Sequence, residues 1–450
     1  MTPPGETRWV TTDDSATAER FSTLQTRAGF TTATAQNPAA VPIYQTAAYE
    51  FESFAAARAV FALQKKGNLY SRTGNPTQTV LEERVAALDG GVAALATASG
   101  QSAVLVSLLA LARKGEHIVA ARQLYGGTLD LLTDTFADFG IDVTLVDQND
   151  LEAWRSAARP TTRAFFAETI TNPTASVLDV RAVADIAHAA GVPLIVDNTV
   201  ATPYLQRPKR FGADIVVYSA TKFLGGHGTS LGGVIVDLGT FDFGADRARW
   251  PQFTEPFERV GDIVLWDAFG SAGSAYLVYA KVKLVHDLGP ALSPFNSFQI
   301  LQGLETLDLR VAKHSANALA VAAFLDSHPA VSLVRYPGLP GDPGYEAAQR
   351  YLPRGAGSVF SFDLVSGDER VEEFVDSLGV FKLVANLGDA RSLVIHPATT
   401  THSHLTDHDL EGAGFTRGTV RLSIGLEDVE DLVADLDSSL TRLLEPAGRL

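Results

Sequence analysis

The 450-residue chain contains no cysteine and a single methionine. A disulfide framework, a zinc–thiolate centre and a cysteine nucleophile are thereby excluded, and a reducing compartment is the default expectation. Basic charge is also scarce: 36 Lys and Arg stand against 52 Asp and Glu, a net charge of −16. Nucleic acid and anionic membranes both require a positive surface, so recognition by general electrostatics is excluded and any anionic ligand has to be held by local groups. Long hydrophobic runs are missing too; the longest, Ala103 to Ala112, falls well short of a bilayer span. The opening Met1-Thr-Pro-Pro-Gly-Glu-Thr-Arg has neither the basic nor the apolar region of a secretory signal. Together these absences predict a cytoplasmic protein.

With 46% hydrophobic and 20% charged residues, the chain can bury a sizeable core and is long enough for two domains. The segment before Val41 is polar and rich in Thr and Ala without a sustained period, which predicts an extended arm, with order beginning near Val41. From about residue 75 to 240, short apolar runs alternate with helical patterns. The runs are Ala94–Ala98, His117–Ala121, Val143–Val146, Ala164–Glu168, Leu194–Asp197, Ile215–Ser219 and Val234–Val236. Near-continuous apolar strands separated by helices predict a mostly parallel sheet covered on both faces, an α/β domain. Helices are expected over Gln78–Leu88, Gln101–Arg113 and Val180–Ala190, the last capped by Gly191. Residues 241–290, with Trp250, Phe253 and Trp266 as anchors, are expected to bridge two domains. Beyond Leu292 a long helix from Phe298 to Ser327 precedes strands at Ser358–Leu364, Leu393–His396 and Val420–Ile424 and helices at Glu369–Leu378 and Val429–Leu443, an α+β pattern. The predicted division is an arm over 1–74, a large α/β domain over 75–290 and an α+β domain over 291–450.

Lys222 is the most informative residue. It is one of nine lysines, and it closes the run Asp214-Ile-Val-Val-Tyr-Ser-Ala-Thr-Lys222 just before Gly225-Gly-His-Gly228. A second apolar run ends in Asp197. Open α/β sheets bind ligands at the carboxyl ends of their strands, so amine and carboxylate should face one crevice. An amine that forms an imine and an acid that keeps a ring nitrogen protonated are what a pyridoxal phosphate (PLP) enzyme requires. Ser99-Gly100-Gln101 lies between a strand and an apolar helix, where backbone N–H groups can approach a phosphate, and Ser219 and Thr221 add hydroxyls beside the lysine. Tyr125 reads either as a ring-stacking residue or as a core tyrosine. Arg421, in an apolar strand, needs a carboxylate, either a substrate's or an internal partner's.

Two competing motifs are weaker. Gly226-His-Gly228-Thr-Ser-Leu-Gly232 resembles a dinucleotide loop, but a lysine precedes it and a strand follows, the reverse of what that motif needs. His396, His402, His404 and His408 with Asp407 and Asp409 have the composition of a metal cluster, yet their segment is polar and loop-like; a substrate-gating loop is the better reading, and no metal is expected.

Tyr70-Ser-Arg72-Thr-Gly-Asn-Pro76, Ser99-Gly-Gln-Ser-Ala103, Val196-Asp-Asn-Thr199, Ser219-Ala-Thr-Lys222 and Arg421-Leu-Ser-Ile-Gly-Leu-Glu-Asp428 together resemble the signatures of the Cys/Met-metabolism group of fold-type I PLP enzymes. The likeness extends over nearly the whole chain from Thr23. Phe253-Thr-Glu-Pro256, Leu301-Gln-Gly-Leu-Glu-Thr-Leu307 and Asn386-Leu-Gly-Asp-Ala-Arg-Ser-Leu-Val-Ile-His-Pro397 are most similar to its O-acetylhomoserine sulfhydrylase branch. The chain departs from that branch after Pro256, near the expected substrate entrance.

The resemblance implies that Lys222 forms the imine with PLP, Asp197 holds the pyridine nitrogen and Tyr125 stacks on the ring. It implies phosphate binding by Gly100, Gln101, Ser219 and Thr221, a place for Asn172 near the ring hydroxyl, and a substrate site containing Arg421 and Asn386. Tyr70 and Arg72 would reach the phosphate of a neighbouring subunit in a homotetramer built as a dimer of dimers. The implied reaction is γ-replacement on O-acetylhomoserine by sulfide or a small thiol such as methanethiol. Synthesis of cystathionine, use of O-succinylhomoserine, γ-elimination from methionine, or a silent scaffold are the alternatives.

Overall fold

The computed structural model describes residues 20–33, 36–401, 406, 410 and 414–445. Its larger sheet is built from β1 (Ala93–Thr97), β2 (His117–Ala121), β3 (Asp142–Val146), β4 (Thr162–Glu168), β5 (Leu194–Asp197), β6 (Ile215–Ser219) and β7 (Gly233–Asp237). The spatial order is β1-β7-β6-β5-β4-β2-β3. Pairing is parallel from β3 through β6, and only β7 runs against its neighbours β6 and β1. Every residue of β2 and β7 is buried, as a sheet covered on both faces demands. The helix after β1, Gly100–Leu109, packs on β6 and β7. Helix Val180–Ala189 ends where Gly191 takes the left-handed conformation, a φ of 70° that the missing Cβ permits.

The second sheet has the order Val331–Arg335, Val359–Leu364, Thr419–Ser423, Leu393–Ile395, Lys382–Leu383. Its central strand places Arg421 between Ser361 and Ile395. Helices Leu307–Asp326 and Val429–Arg442 pack against each other beside it.

Four expectations need correction. The long helix predicted over Phe298–Ser327 is two, Pro294–Leu304 and Leu307–Asp326, because Thr306 leaves helical geometry at φ −122° and ψ 17°. The Arg310 guanidinium sits at this break and donates to the carbonyls of Gly303 (2.7 Å) and Leu224 (3.4 Å). The helix predicted to run to Arg113 stops at Leu109. Order begins before Val41: Phe21–Arg27 is helical, with Phe21 and Leu24 buried and the Gln25 amide donating to Asp308 at 2.5 Å. Tertiary contacts hold this short helix where local propensity would not. Finally, residues 241–290, expected as a bridge, pack on the large sheet's layer. Arg249 donates to the carbonyls of Thr162 and Ala190, the Tyr276 hydroxyl to that of Ser107, and Gln252 to that of Ala110. Phe243, Trp250, Phe253 and Tyr276 form an aromatic cluster there, with the Phe243 and Tyr276 ring centroids 6.0 Å apart.

Candidate active site

The carboxyl ends of β1, β2, β4, β5 and β6 open into a cleft of about 570 Å³, closed by Arg421 of the second sheet and by the loop at Ala385–Leu387. Of the residues predicted for the site, Lys222, Asp197, Tyr125, Gly100, Gln101, Asn172, Ser219, Thr221, Asn386 and Arg421 all line it. Tyr70 and Arg72 do not. Tyr70 is 44% exposed, and the Arg72 guanidinium lies 5.5 Å from its ring centroid while donating to the His286 carbonyl.

Lys222 leaves β6 on a tight turn whose main chain returns from Gly226 N–H to the Lys222 carbonyl at 2.7 Å. Its Nζ donates to Asn386 Oδ1 at 2.6 Å. Burial, and secondarily the charge of Arg421, pull the amine down to about 8. Asp197, at the end of β5, accepts the Thr199 N–H on Oδ1 at 2.9 Å. Burial pushes this carboxyl up to about 6, against the opposing effect of its hydrogen bonds from Thr199. The Thr199 hydroxyl in turn accepts the Ser219 N–H at 2.8 Å, so one threonine ties the acid to the loop carrying the lysine.

The helix that starts at Gly100 is capped by Ser99, which exchanges hydrogen bonds with Ser102. Its first-turn N–H groups have no acceptor within the helix. A Cβ on Gly100 would lie 2.5 Å from Ser219 Cβ, so glycine is what lets helix and lysine loop converge. Gln101 commits its side-chain amide to the Gly127 carbonyl at 2.7 Å, and the Thr221 hydroxyl is paired with Gly232.

Arg421 is 4% exposed. It donates to the Asn386 carbonyl at 2.6 Å and to Asn172 Oδ1 at 3.4 Å, while its Nε has no partner. No carboxylate pairs with it among the described residues, which sets aside the internal salt bridge. Burial lowers it to about 10.

Sequence reasoning missed Glu168, the last residue of β4, which stands in register with Asp197 on β5. Burial and the Asp197 charge push its carboxyl well up, against hydrogen bonds from the main chains of Tyr125 and Asn172. The carboxylate closing the apolar run Ala164–Glu168 was the available signal. Of the histidine-rich run, His402, His404, Asp407, His408 and Asp409 lie outside the described residues; His396 is buried, its ring bonded to Thr399 and to the Arg417 carbonyl. Among the described residues no group of metal-ligating side chains occurs, and no helix is long and apolar enough to cross a membrane.

The donor set fits PLP: an amine for the aldehyde, a buried carboxylate for the ring nitrogen, and a glycine-admitted helix start beside Ser219 for the phosphate. Residues 22–441 match the model of the Cys/Met metabolism PLP-dependent enzymes, and the chain belongs to this family. It is 50% identical over 411 residues to an O-acetyl-L-homoserine sulfhydrylase of Leptospira meyeri, covering 90% of this chain and 92% of that protein. It is 42% identical to a homocysteine/cysteine synthase of Saccharomyces cerevisiae, over 93% and 97% of the two. A solved structure described as an O-acetylhomoserine (thiol)-lyase of Campylobacter jejuni, holding a pyridoxyl-lysine monophosphate, matches with a TM-score of 0.90 at 36% identity, over 94% of this chain and 100% of its own.

Proposed function

We propose that the protein catalyses γ-replacement on O-acetylhomoserine, exchanging acetate for sulfide to give homocysteine, or for methanethiol to give methionine. The names of its relatives support this reading. The observation that carries it is the charge of the cleft: among the described residues that line it, Lys222 and Arg421 are the only lysine or arginine, facing Asp130, Glu168 and Asp197. One guanidinium suits one α-carboxylate, gripped bidentately by Arg421. A succinyl ester would bring a second carboxylate into a cleft that offers it no second guanidinium, so the acetyl ester is favoured.

Bound PLP supplies an electron sink for negative charge at the substrate's α-carbon. Asp197 keeps the ring nitrogen protonated, which that sink needs. Lys222 Nζ, within reach of Asn386 Oδ1, takes the α-proton and moves protons at the β-carbon as acetate leaves the γ-carbon and the thiol adds there. Tyr125 would cover the ring, Asn172 would lie near the ring hydroxyl, and the first turn at Gly100 and Gln101, with Ser219 and Thr221, would hold the phosphate.

The likeness to the family also supports a homotetramer in which Tyr70 and Arg72 complete a neighbour's site, units over 1–74, 75–290 and 291–450, and a cytoplasmic place of action. Supplying O-acetylhomoserine, O-succinylhomoserine and O-acetylserine in turn with sulfide, and measuring thiol product, tests the reading. Only the first should be turned over efficiently; preference for either of the others would contradict it.

A further inference from the structure

Glu168 is 5% exposed and lies at the centre of the residues that would surround the cofactor ring. Its Oε1 accepts the Tyr125 main-chain N–H at 2.6 Å, and the Asn172 main-chain N–H favours the charged form of the same carboxyl. Two loops from different strands, one after β2 and one after β4, are thus fastened to a single side chain. The Tyr125 ring is 48% exposed, so packing alone does not fix it, and the main-chain anchor at Glu168 does. Asn172, on the second loop, accepts from Arg421 on its Oδ1, extending the connection to the substrate side.

Resting on the reading of the cleft as a PLP site, we infer that Glu168 is a positioning residue which clamps Tyr125 and Asn172 around the cofactor ring and leaves the ring-nitrogen charge to Asp197. Two adjacent buried carboxylates resist being charged together. With Asp197 charged against the ring nitrogen, the neighbouring Glu168 is the one driven toward its neutral form, while its oxygens still accept from the main chain. Burial and the charge of Asp197 act on Glu168 in that direction.

Glu168→Gln keeps a carbonyl acceptor and is uncharged, whereas Glu168→Met fills similar volume without an acceptor. Both are compared with the wild type in the full chain, with the fold of the apo proteins checked by far-ultraviolet circular dichroism. The readouts are the PLP dissociation constant, from equilibrium dialysis, and the visible circular dichroism of the bound cofactor, which reports the asymmetry of its surroundings. Glu168→Gln should hold PLP within about threefold of the wild type with the same visible signal. Glu168→Met should lose about tenfold or more and change that signal, since the Tyr125 N–H loses its acceptor. Wild-type retention and signal in Glu168→Met, or equal loss in both variants, would overturn the inference. If Glu168→Met does not fold, Glu168→Gln decides alone: retention with an unchanged signal supports the clamp, and loss of either contradicts it. Failure of the PLP reading itself is distinguishable, because the wild type would then take up no PLP.

Discussion

Lys222, Asp197 and Arg421 were legible in the sequence because each is a costly residue type for its place: an amine, an acid and a guanidinium at or within buried strands. Glu168 was not, since a glutamate closing a strand reads as the point where the chain meets water; only the pairing of β4 with β5 reveals its burial beside Asp197. Lys222→Ala should abolish thiol formation, as proton transfer by a positioned group typically contributes ~10²–10⁴-fold and the imine is lost with it. Near-normal turnover in that variant would contradict its role. The free-amine fraction of Lys222 rises as pH increases through about 8, so the apo protein should take up PLP faster up to that pH and then level off, followed by visible absorbance. A rate flat between pH 6 and 9 would contradict the lowered amine. Arg421→Lys keeps the charge but loses the bidentate grip, and kcat/KM for O-acetylhomoserine should fall about 10–100-fold, seen in steady-state assays.

At the scale of elements, the seven strands of the large sheet matched their apolar runs to within a few residues, since continuous burial leaves a continuous pattern. The interruption between Leu304 and Leu307 left no such mark. Its cause is a partner far away in sequence, the loop at Leu224 and Gly225 that the helix crosses and Arg310 fastens. The helix at Phe21–Arg27 was hidden for the same reason: Asp308, which its Gln25 contacts, is supplied by a distant element. At Gly100 the helix start and the lysine loop meet closely. Gly100→Ala would drive a methyl group into Ser219 and should destabilise the protein by about 1–3 kcal/mol while weakening PLP retention. Thermal melts and dialysis measure the two effects, and unchanged values would show that helix and lysine loop do not converge as described.

For the whole molecule, fold class followed from the alternation of apolar runs and helical patterns, but the position of β7 between β1 and β6 did not, because strand order is set by pairing across long separations. The cleft as described within one chain leaves out Tyr70 and Arg72, and their proposed place is a neighbour's site. Co-expressing Arg72→Ala with Lys222→Ala should restore activity well above that of either variant alone, because a hybrid interface regains one complete site. No recovery, or a monomeric mass in solution, would contradict the shared site. The central claim, that this chain holds PLP on the amine of Lys222, is tested most directly by reducing the PLP-loaded protein with borohydride and mapping the modified peptide by mass spectrometry. A pyridoxyl group on Lys222, with loss of the visible band, is the predicted result; a label on another lysine, or none, would contradict it.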